Sequence, residues 1–208
     1  MIGGGVFGTG IALEIAKSGR GVRLLEKQKI ASGASGGPGR RGVRANGRDV
    51  RELPLMKMAY DIWPELHKDL DADSFFERTG NLLLLEREQD LKSAPARVWL
   101  QQQQGIPTEF LSFEELREME PELDQRVKAA IFCEKDGVCD HASVTKALAK
   151  KSREYGAQID ENCVAVSLEI QNGRVNGVIT NMEEHIQVTG TLFVLSNSAV
   201  SDLIENQC

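Results

Sequence analysis

Ile2-Gly-Gly-Gly-Val-Phe-Gly-Thr-Gly-Ile-Ala12, closed by Ser18-Gly19 and followed by Arg20-Gly-Val-Arg-Leu-Leu-Glu26, is the stretch on which the fold turns. Gly3, Gly5 and Gly8 stand in GxGxxG spacing, a pattern that alone recurs in unrelated turns. Here the surroundings agree with it. Val6-Phe7, Ile11 to Leu13 and Ile15-Ala16 repeat with the period of a helix packed on a sheet. Gly3 allows a tight turn, Gly5 lets the backbone approach a phosphate without a Cβ in the way, and Gly8 with Ala12 keeps the helix close to the sheet. The helix N-terminus offers free N–H groups and the positive end of its dipole to a pyrophosphate. Ser18-Gly19 ends the helix through a left-handed cap. Residues 21–25 read as a short buried strand. Glu26 lies at its C-terminal end, where a carboxylate accepts both hydroxyls of an adenosine ribose. An acid there repels a 2′-phosphate, which argues against NADP. A chance glycine turn would leave Glu26 as a solvated charge, but glycines, helix, strand and acid all fall in register.

Composition narrows the classes. The chain has 208 residues, enough for one good core or two small ones. Its 25 basic and 31 acidic side chains give a net charge of −6, against the basic footprint that nucleic acid requires. The longest aliphatic run, Leu82 to Leu85, is too short to span a bilayer, and no export signal opens the chain. Cys133, Cys139, Cys163 and Cys208 form no CxxC, and His67, His141 and His185 are scattered. No metal site is therefore expected, and the thiols read as reduced cysteines of a cytoplasmic protein.

Residues 27–48 form a long loop rich in glycine and arginine. Ser32, Ser35 and the backbone of Gly36 are placed to hydrogen-bond phosphate or ribitol oxygens, and Arg40, Arg41 and Arg44 to neutralise charge. The alternative is a basic surface loop. A helix is expected from about Pro54 to Leu70, with Leu55, Met58, Ala59, Ile62, Trp63, Leu66 and Leu70 on its packed face and a kink at Pro64. Strands follow at 75–77 and 81–85, then a helix over 88–104 disturbed by Pro95, and a strand at 108–111. Ser112-Phe-Glu-Glu115 is a capping box that opens a helix through Met119. A strand at 129–133, a turn at Asp136-Gly137 and a helix from His141 to Tyr155 come next. Gly156 to Ile159 leads into a strand, residues 164–170 and 175–180 form a hairpin around Gln171-Asn-Gly-Arg174, 185–188 are expected to extend it, and Leu192 to Leu195 is a last apolar strand.

The ordered set resembles the FAD-dependent oxidoreductases of the D-amino-acid oxidase and glycine oxidase type, and within them the sarcosine oxidase β-subunit-like enzymes. The resemblance rests on Ile2 to Ala12, Leu24-Leu-Glu-Lys27, Ala31-Ser-Gly-Ala-Ser-Gly36, Arg78-Thr-Gly-Asn-Leu-Leu-Leu-Leu85, Glu114-Glu-Leu-Arg-Glu-Met-Glu-Pro121, Asp136-Gly-Val-Cys-Asp140 and Gly173-Arg-Val-Asn-Gly-Val178. It implies an α/β fold: an FAD-binding Rossmann-like domain of glutathione-reductase type (residues 1–48 and 136–208), interrupted by the first part of an α+β substrate-binding domain (49–135). It implies FAD, with Gly3, Gly5 and Gly8 on the pyrophosphate and Glu26 on the ribose. Lys27, Ser32, Ser35 and Gly36 would lie along the cofactor, and the backbone of Val164, or equally Ala165, would hold the adenine. The implied reaction is hydride transfer from an amine or amino acid, such as sarcosine or glycine, to the flavin. Arg41 and Arg44 are the nearest candidates to clamp a substrate carboxylate.

Three departures from the family pattern stand out. Only Met1-Ile2 precede the glycines where a central strand has about five residues. Ser198 stands where the family turn has a glycine. The chain stops at Cys208. The expectation is therefore the first half of a catalytic subunit, inactive alone and completed by a partner subunit or a missing C-terminal half. A non-catalytic truncated paralogue is the alternative. An NAD-dependent dehydrogenase fits less well, because the dinucleotide fold is interrupted after two strands.

Overall fold

The computed structural model describes residues 1–33 and 39–196, together with Leu203. In chain order the elements are α1 (Val6–Lys17), β1 (Arg23–Glu26), β2 (Arg40–Val43), α2 (Leu53–Ile62), α3 (Leu66–Asp69), β3 (Phe76–Glu77), β4 (Asn81–Leu85) and α4 (Glu88–Gln103). They continue as β5 (Glu109–Leu111), α5 (Phe113–Met119), β6 (Ala129–Cys133), β7 (Gly137–Asp140), α6 (His141–Glu154), β8 (Gln158–Glu161), β9 (Ala165–Gln171), β10 (Arg174–Thr180) and β11 (His185–Gln187). Two compact units result: residues 1–39 with 70–72 and 141–208, and residues 40–69 with 73–140. Residues 40–48 and 136–140, grouped by sequence with the nucleotide-binding part, pack within the second unit.

The first unit is layered around a small parallel sheet. β1 pairs in parallel with β8 from Arg23↔Gln158 to Glu26↔Glu161. Ile2 makes parallel bridges to Leu25 on one side and Val194 on the other. The short opening segment thus does the work of an inner strand. Gly3 N–H donates to the Leu25 carbonyl at 2.9 Å, Leu25 N–H to Met1 at 2.9 Å, Ile2 N–H to Phe193 at 2.9 Å and Leu195 N–H to Ile2 at 2.8 Å. Of the apolar run at 192–195, only Val194 bridges Ile2.

Successive residues of β1 face opposite ways, as strand geometry requires. Leu24 packs with Ile30 and Ala149 on the helical side. Leu25 packs with Ile2, Cys163 and Val178 on the side of the antiparallel sheet β11-β10-β9. α1 and α6 lie together, with the buried Ser152 hydroxyl 3.2 Å from the Thr9 carbonyl. α1 buries Gly8, Thr9, Ala12, Leu13 and Ala16. Val6 and Phe7, expected on that face, are exposed, because the closest seat of the first turn belongs to Gly8. The hairpin turns at Asn172-Gly173, both at positive φ, as a two-residue loop needs to match strand twist.

The second unit holds two antiparallel sheets, β2-β7-β3 and β4-β6-β5. Leu83, Leu85, Ala129 and Ile131 meet Ala94 and its neighbours on α4. Leu82, Ala130 and Phe132 face Leu116 of α5. The capping box is formed at Ser112 and Glu115. α4 continues through Pro95. β2 and β7 correct the reading of 40–48 as loop and of Asp136-Gly137 as turn alone. Arg-Arg-Gly-Val carries no alternating apolar signal; its strand exists because Val138 and Cys139 lie opposite Gly42 and Arg41.

α2 corrects the sequence reading twice. The expected kink at Pro64 is a break, with α2 ending at Ile62 and α3 starting at Leu66. Proline has no N–H to donate four residues back to Tyr60, and Arg78 Nη2 takes that carbonyl at 2.9 Å instead. The packed face is also rotated. Leu53, Met56 and Tyr60 are buried, whereas Leu55, Met58 and Ile62 are 69%, 62% and 53% exposed. A buried polar contact decides this: the Tyr60 hydroxyl donates to the buried Asp136 carboxylate at 2.5 Å. Burial, then that carboxylate, push the phenol well up, so it stays protonated.

Tyr60→Phe is expected to destabilise the chain by about 1–3 kcal/mol, since a buried carboxylate loses a donor. Gly10→Ala is expected to stabilise it by up to about 1 kcal/mol, because Gly10 lies inside α1 with open space at its Cβ position. Thermal and denaturant melts check both.

Candidate dinucleotide site

The glycine turn runs from the end of the Met1–Ile2 segment into α1. Gly3 has φ +105°, a conformation that side chains rarely adopt, and a Cβ there would lie 2.7 Å from the Leu195 carbonyl oxygen. A Cβ on Gly8 would collide with the Gly3 carbonyl oxygen, so the third glycine seats α1 on the turn. Gly5, by contrast, has nothing within 4 Å of its Cβ position. The three glycines thus divide three jobs: turn, open approach and close packing. Gly4 carries a fourth, which the sequence reading missed. Its Cβ would lie 2.5 Å from Ile30 Cδ1 and 2.9 Å from Glu26 Cβ.

Gly5 caps α1 in extended conformation with no side-chain capping bond, and the first turn holds no acid. The first-turn N–H groups and the positive dipole end therefore meet an approaching anion uncompensated. An open backbone face beside such a terminus fits a diphosphate. Glu26 ends β1 beside this turn. Its Oε2 accepts the Gly4 N–H at 2.7 Å and its Oε1 the Gln28 N–H at 2.9 Å.

The other expected residues fall out as follows. Lys27 and Ser32 are exposed, and the Ser32 hydroxyl donates to the Lys29 carbonyl at 2.7 Å. Ser35, Gly36 and Ser198 lie outside the described residues. β8 runs beside β1, so the segment after it reaches the Glu26 end: Cys163 N–H donates to the Glu26 carbonyl and Asn162 N–H to that of Gln28, both at 2.9 Å. Val164 follows, with its N–H on Asn181 Oδ1 at 2.8 Å and its carbonyl accepting the Asn181 N–H at 2.9 Å.

Arg41 and Arg44 belong to the second unit. Arg41 Nη1 donates to the Arg40 carbonyl at 2.8 Å, and the Arg44 guanidinium turns back onto the Asn46 carbonyl of its own loop. Arg97 Nη2 reaches the Arg48 carbonyl of the same loop at 2.6 Å; burial, and then the nearby Arg44 charge, hold its guanidinium below the usual arginine range. Among the described residues no cluster of three or more histidine, cysteine, aspartate or glutamate side chains is placed to hold a metal. No described helix is long and apolar enough to cross a membrane.

Known proteins share this arrangement. The structure superposes on L-proline dehydrogenase from P. horikoshii with a TM-score of 0.85 at 32% identity, over 98% of this chain and 54% of that one. In sequence the chain is 32% identical over 180 residues to anaerobic glycerol-3-phosphate dehydrogenase subunit A1 of Haloferax volcanii, covering 86% of this chain and 30% of that protein. It is 27% identical over 188 residues to sarcosine oxidase subunit beta of Arthrobacter sp., covering 86% of this chain and 46% of that protein. The chain therefore spans half or less of the length of these two curated relatives. The profile of the family described as FAD dependent oxidoreductase matches residues 1–207. That match takes in the glycine turn, Glu26 and the whole second unit, and the chain belongs to the FAD-dependent oxidoreductase family.

Proposed function

We propose that this chain is the cofactor-binding part of an FAD-dependent oxidoreductase that oxidises an amine or amino acid such as sarcosine or glycine. The observation that carries the reading is the glycine turn, open at Gly5 and closely packed at Gly3, Gly4 and Gly8, with Glu26 beside it. Gly3, Gly5 and Gly8 hold the diphosphate and Glu26 the ribose hydroxyls. Lys27, Ser32, Ser35 and Gly36 line the cofactor. The backbone of Val164, or equally of Ala165, holds the adenine; Asn181 engages both backbone groups of Val164, and Ala165 pairs with Thr180. FAD supplies an acceptor for the hydride on the carbon beside the substrate nitrogen. Arg41 and Arg44 are the candidates for a substrate carboxylate; Arg44 uses Nη1 on the Asn46 carbonyl.

In this reading residues 1–48 and 136–208 form the FAD-binding domain and 49–135 the first part of the substrate-binding domain. A partner subunit, or the second half of a longer chain, completes the substrate side; the sarcosine oxidase relative is itself named a subunit. The three described cysteines are free thiols, which suits the cytoplasm. The second reading is a non-catalytic paralogue or subunit that binds a nucleotide weakly or not at all.

Purified chain incubated with FAD is expected to retain flavin absorbance after gel filtration. Gly5→Val is expected to cost only the stability of a poorer helix N-cap, about 1 kcal/mol, but to weaken FAD at least ~10-fold, about 1.4 kcal/mol. Gly8→Ala loses both stability and flavin. Anaerobic bleaching of the bound flavin by sarcosine, glycine or proline supports the oxidoreductase. With the second half or partner subunit supplied, retained flavin that none of them bleaches supports the non-catalytic reading, and no retained flavin overturns the oxidoreductase.

A further inference from the structure

The carboxylate of Glu26 touches more of the site than a ribose contact requires. Each oxygen already accepts one backbone N–H, Gly4 at 2.7 Å and Gln28 at 2.9 Å. An ionised carboxylate has about four acceptor directions, two on each oxygen. One on each oxygen is thus used, the group cannot rotate, and one on each remains. The Gly4 bond also joins the end of β1 to the middle of the glycine turn, one residue before the helix cap.

The surrounding chain is built to keep that bond. Ile30 packs where a Gly4 side chain would stand, and its N–H donates to Glu161 Oε1 at 2.7 Å. Asn162 N–H holds the Gln28 carbonyl at 2.9 Å and Cys163 N–H that of Glu26 at 2.9 Å. Segment 26–30 is therefore tied to the end of β8 at three points. From that platform Glu26 and Ile30 press on Gly4.

We propose that Glu26 is a positioning residue for the phosphate-binding turn as well as a ribose ligand. By holding the Gly4 peptide it sets the orientation of the amides at Gly5 and the start of α1. Its pinning by Gln28 presents the two remaining acceptor directions as a fixed pair. The inference rests on the dinucleotide reading of the turn for its ligand, but the brace itself is a property of the free chain.

The geometry dictates an unusual substitution pattern. Glutamine is isosteric, yet its NH2 would face either the Gly4 or the Gln28 N–H, donor against donor. Aspartate is one methylene shorter and cannot span both amides. Glu26→Gln, Glu26→Asp and Glu26→Ala should all release the turn, so the conservative variants give no rescue.

Hydrogen exchange at the Gly4 amide, read by NMR on the ligand-free chain, tests the brace. The wild type is expected to protect it, and Glu26→Gln and Glu26→Asp to speed its exchange at least ~10-fold while amides of β10 and α5 stay unchanged. Inorganic pyrophosphate, which has no ribose, is the second probe. A ribose-only role predicts pyrophosphate binding unchanged in Glu26→Asp, which keeps the charge, and equal or tighter in Glu26→Gln, which removes it; the brace predicts weaker binding by both variants. Fast Gly4 exchange in the wild type, or unchanged exchange and undiminished pyrophosphate binding in the variants, overturns the proposal. If wild type binds neither pyrophosphate nor FAD, the dinucleotide reading fails while the Gly4 exchange still decides the brace. Should both variants fail to fold, the wild-type exchange rate alone carries the decision.

Discussion

The absent Cβ of Gly8 lets α1 rest on the carbonyl of Gly3, and the first unit is organised around that contact. Because the helix comes this close, its N-terminus opens directly over the turn instead of above a layer of side chains. Because Gly3 can take φ +105°, the chain leaves the sheet at once and still clears Leu195. Residues 1–3 are bonded on both sides, to Leu25 and to Phe193 and Leu195, as an inner strand is. Parallel inner strands are buried on both faces, and here Leu24 and Leu25 each meet a separate hydrophobic layer.

The second unit depends on a polar counterpart. Asp136 is fully buried, and its carboxylate accepts the Ala45 N–H at 2.7 Å, the Asn46 N–H at 3.2 Å and the Tyr60 hydroxyl at 2.5 Å. Asn46, also buried, donates to the Asn81 and Ile131 carbonyls at 2.8 and 3.0 Å and accepts from Gln101 at 3.1 Å. One loop is thereby joined to α2, α4, β4 and β6. Burying such groups is costly unless they find partners, and the bonds of Asp136 and Asn46 enforce one arrangement, although the buried Gln101 Oε1 has no partner. That is why α2 turns Tyr60 inward although Leu55, Met58 and Ile62 offer a more apolar face.

Local signals were legible where a few neighbouring residues decide the outcome. The Ser112 to Glu115 box, the Asn172-Gly173 hairpin and the end of α1 at Gly19 all depend on backbone preferences within one turn, and all stand in the structure. The tight turn at Gly3 and the close packing at Gly8 were legible because the glycine spacing, read with the flanking helix and strand, maps them onto a strand–turn–helix. Signals failed where a distant partner decides. β2 needs β7, nearly a hundred residues on. The face of α2 needs Asp136. The engagement of Val164 needs Asn181, which no local pattern announces.

By itself the sequence determined the family, most of the helices and strands, and the glycine turn with Glu26 at the end of the following strand, since each is written in short-range spacing and side-chain chemistry. Only the tertiary structure decided what Glu26 and Gly4 do to each other, which side of α2 is buried and that Arg44 folds back on its own loop. Those outcomes come from close approach and hydrogen bonds between segments far apart in the chain, where a few tenths of an ångström and one available N–H settle the choice.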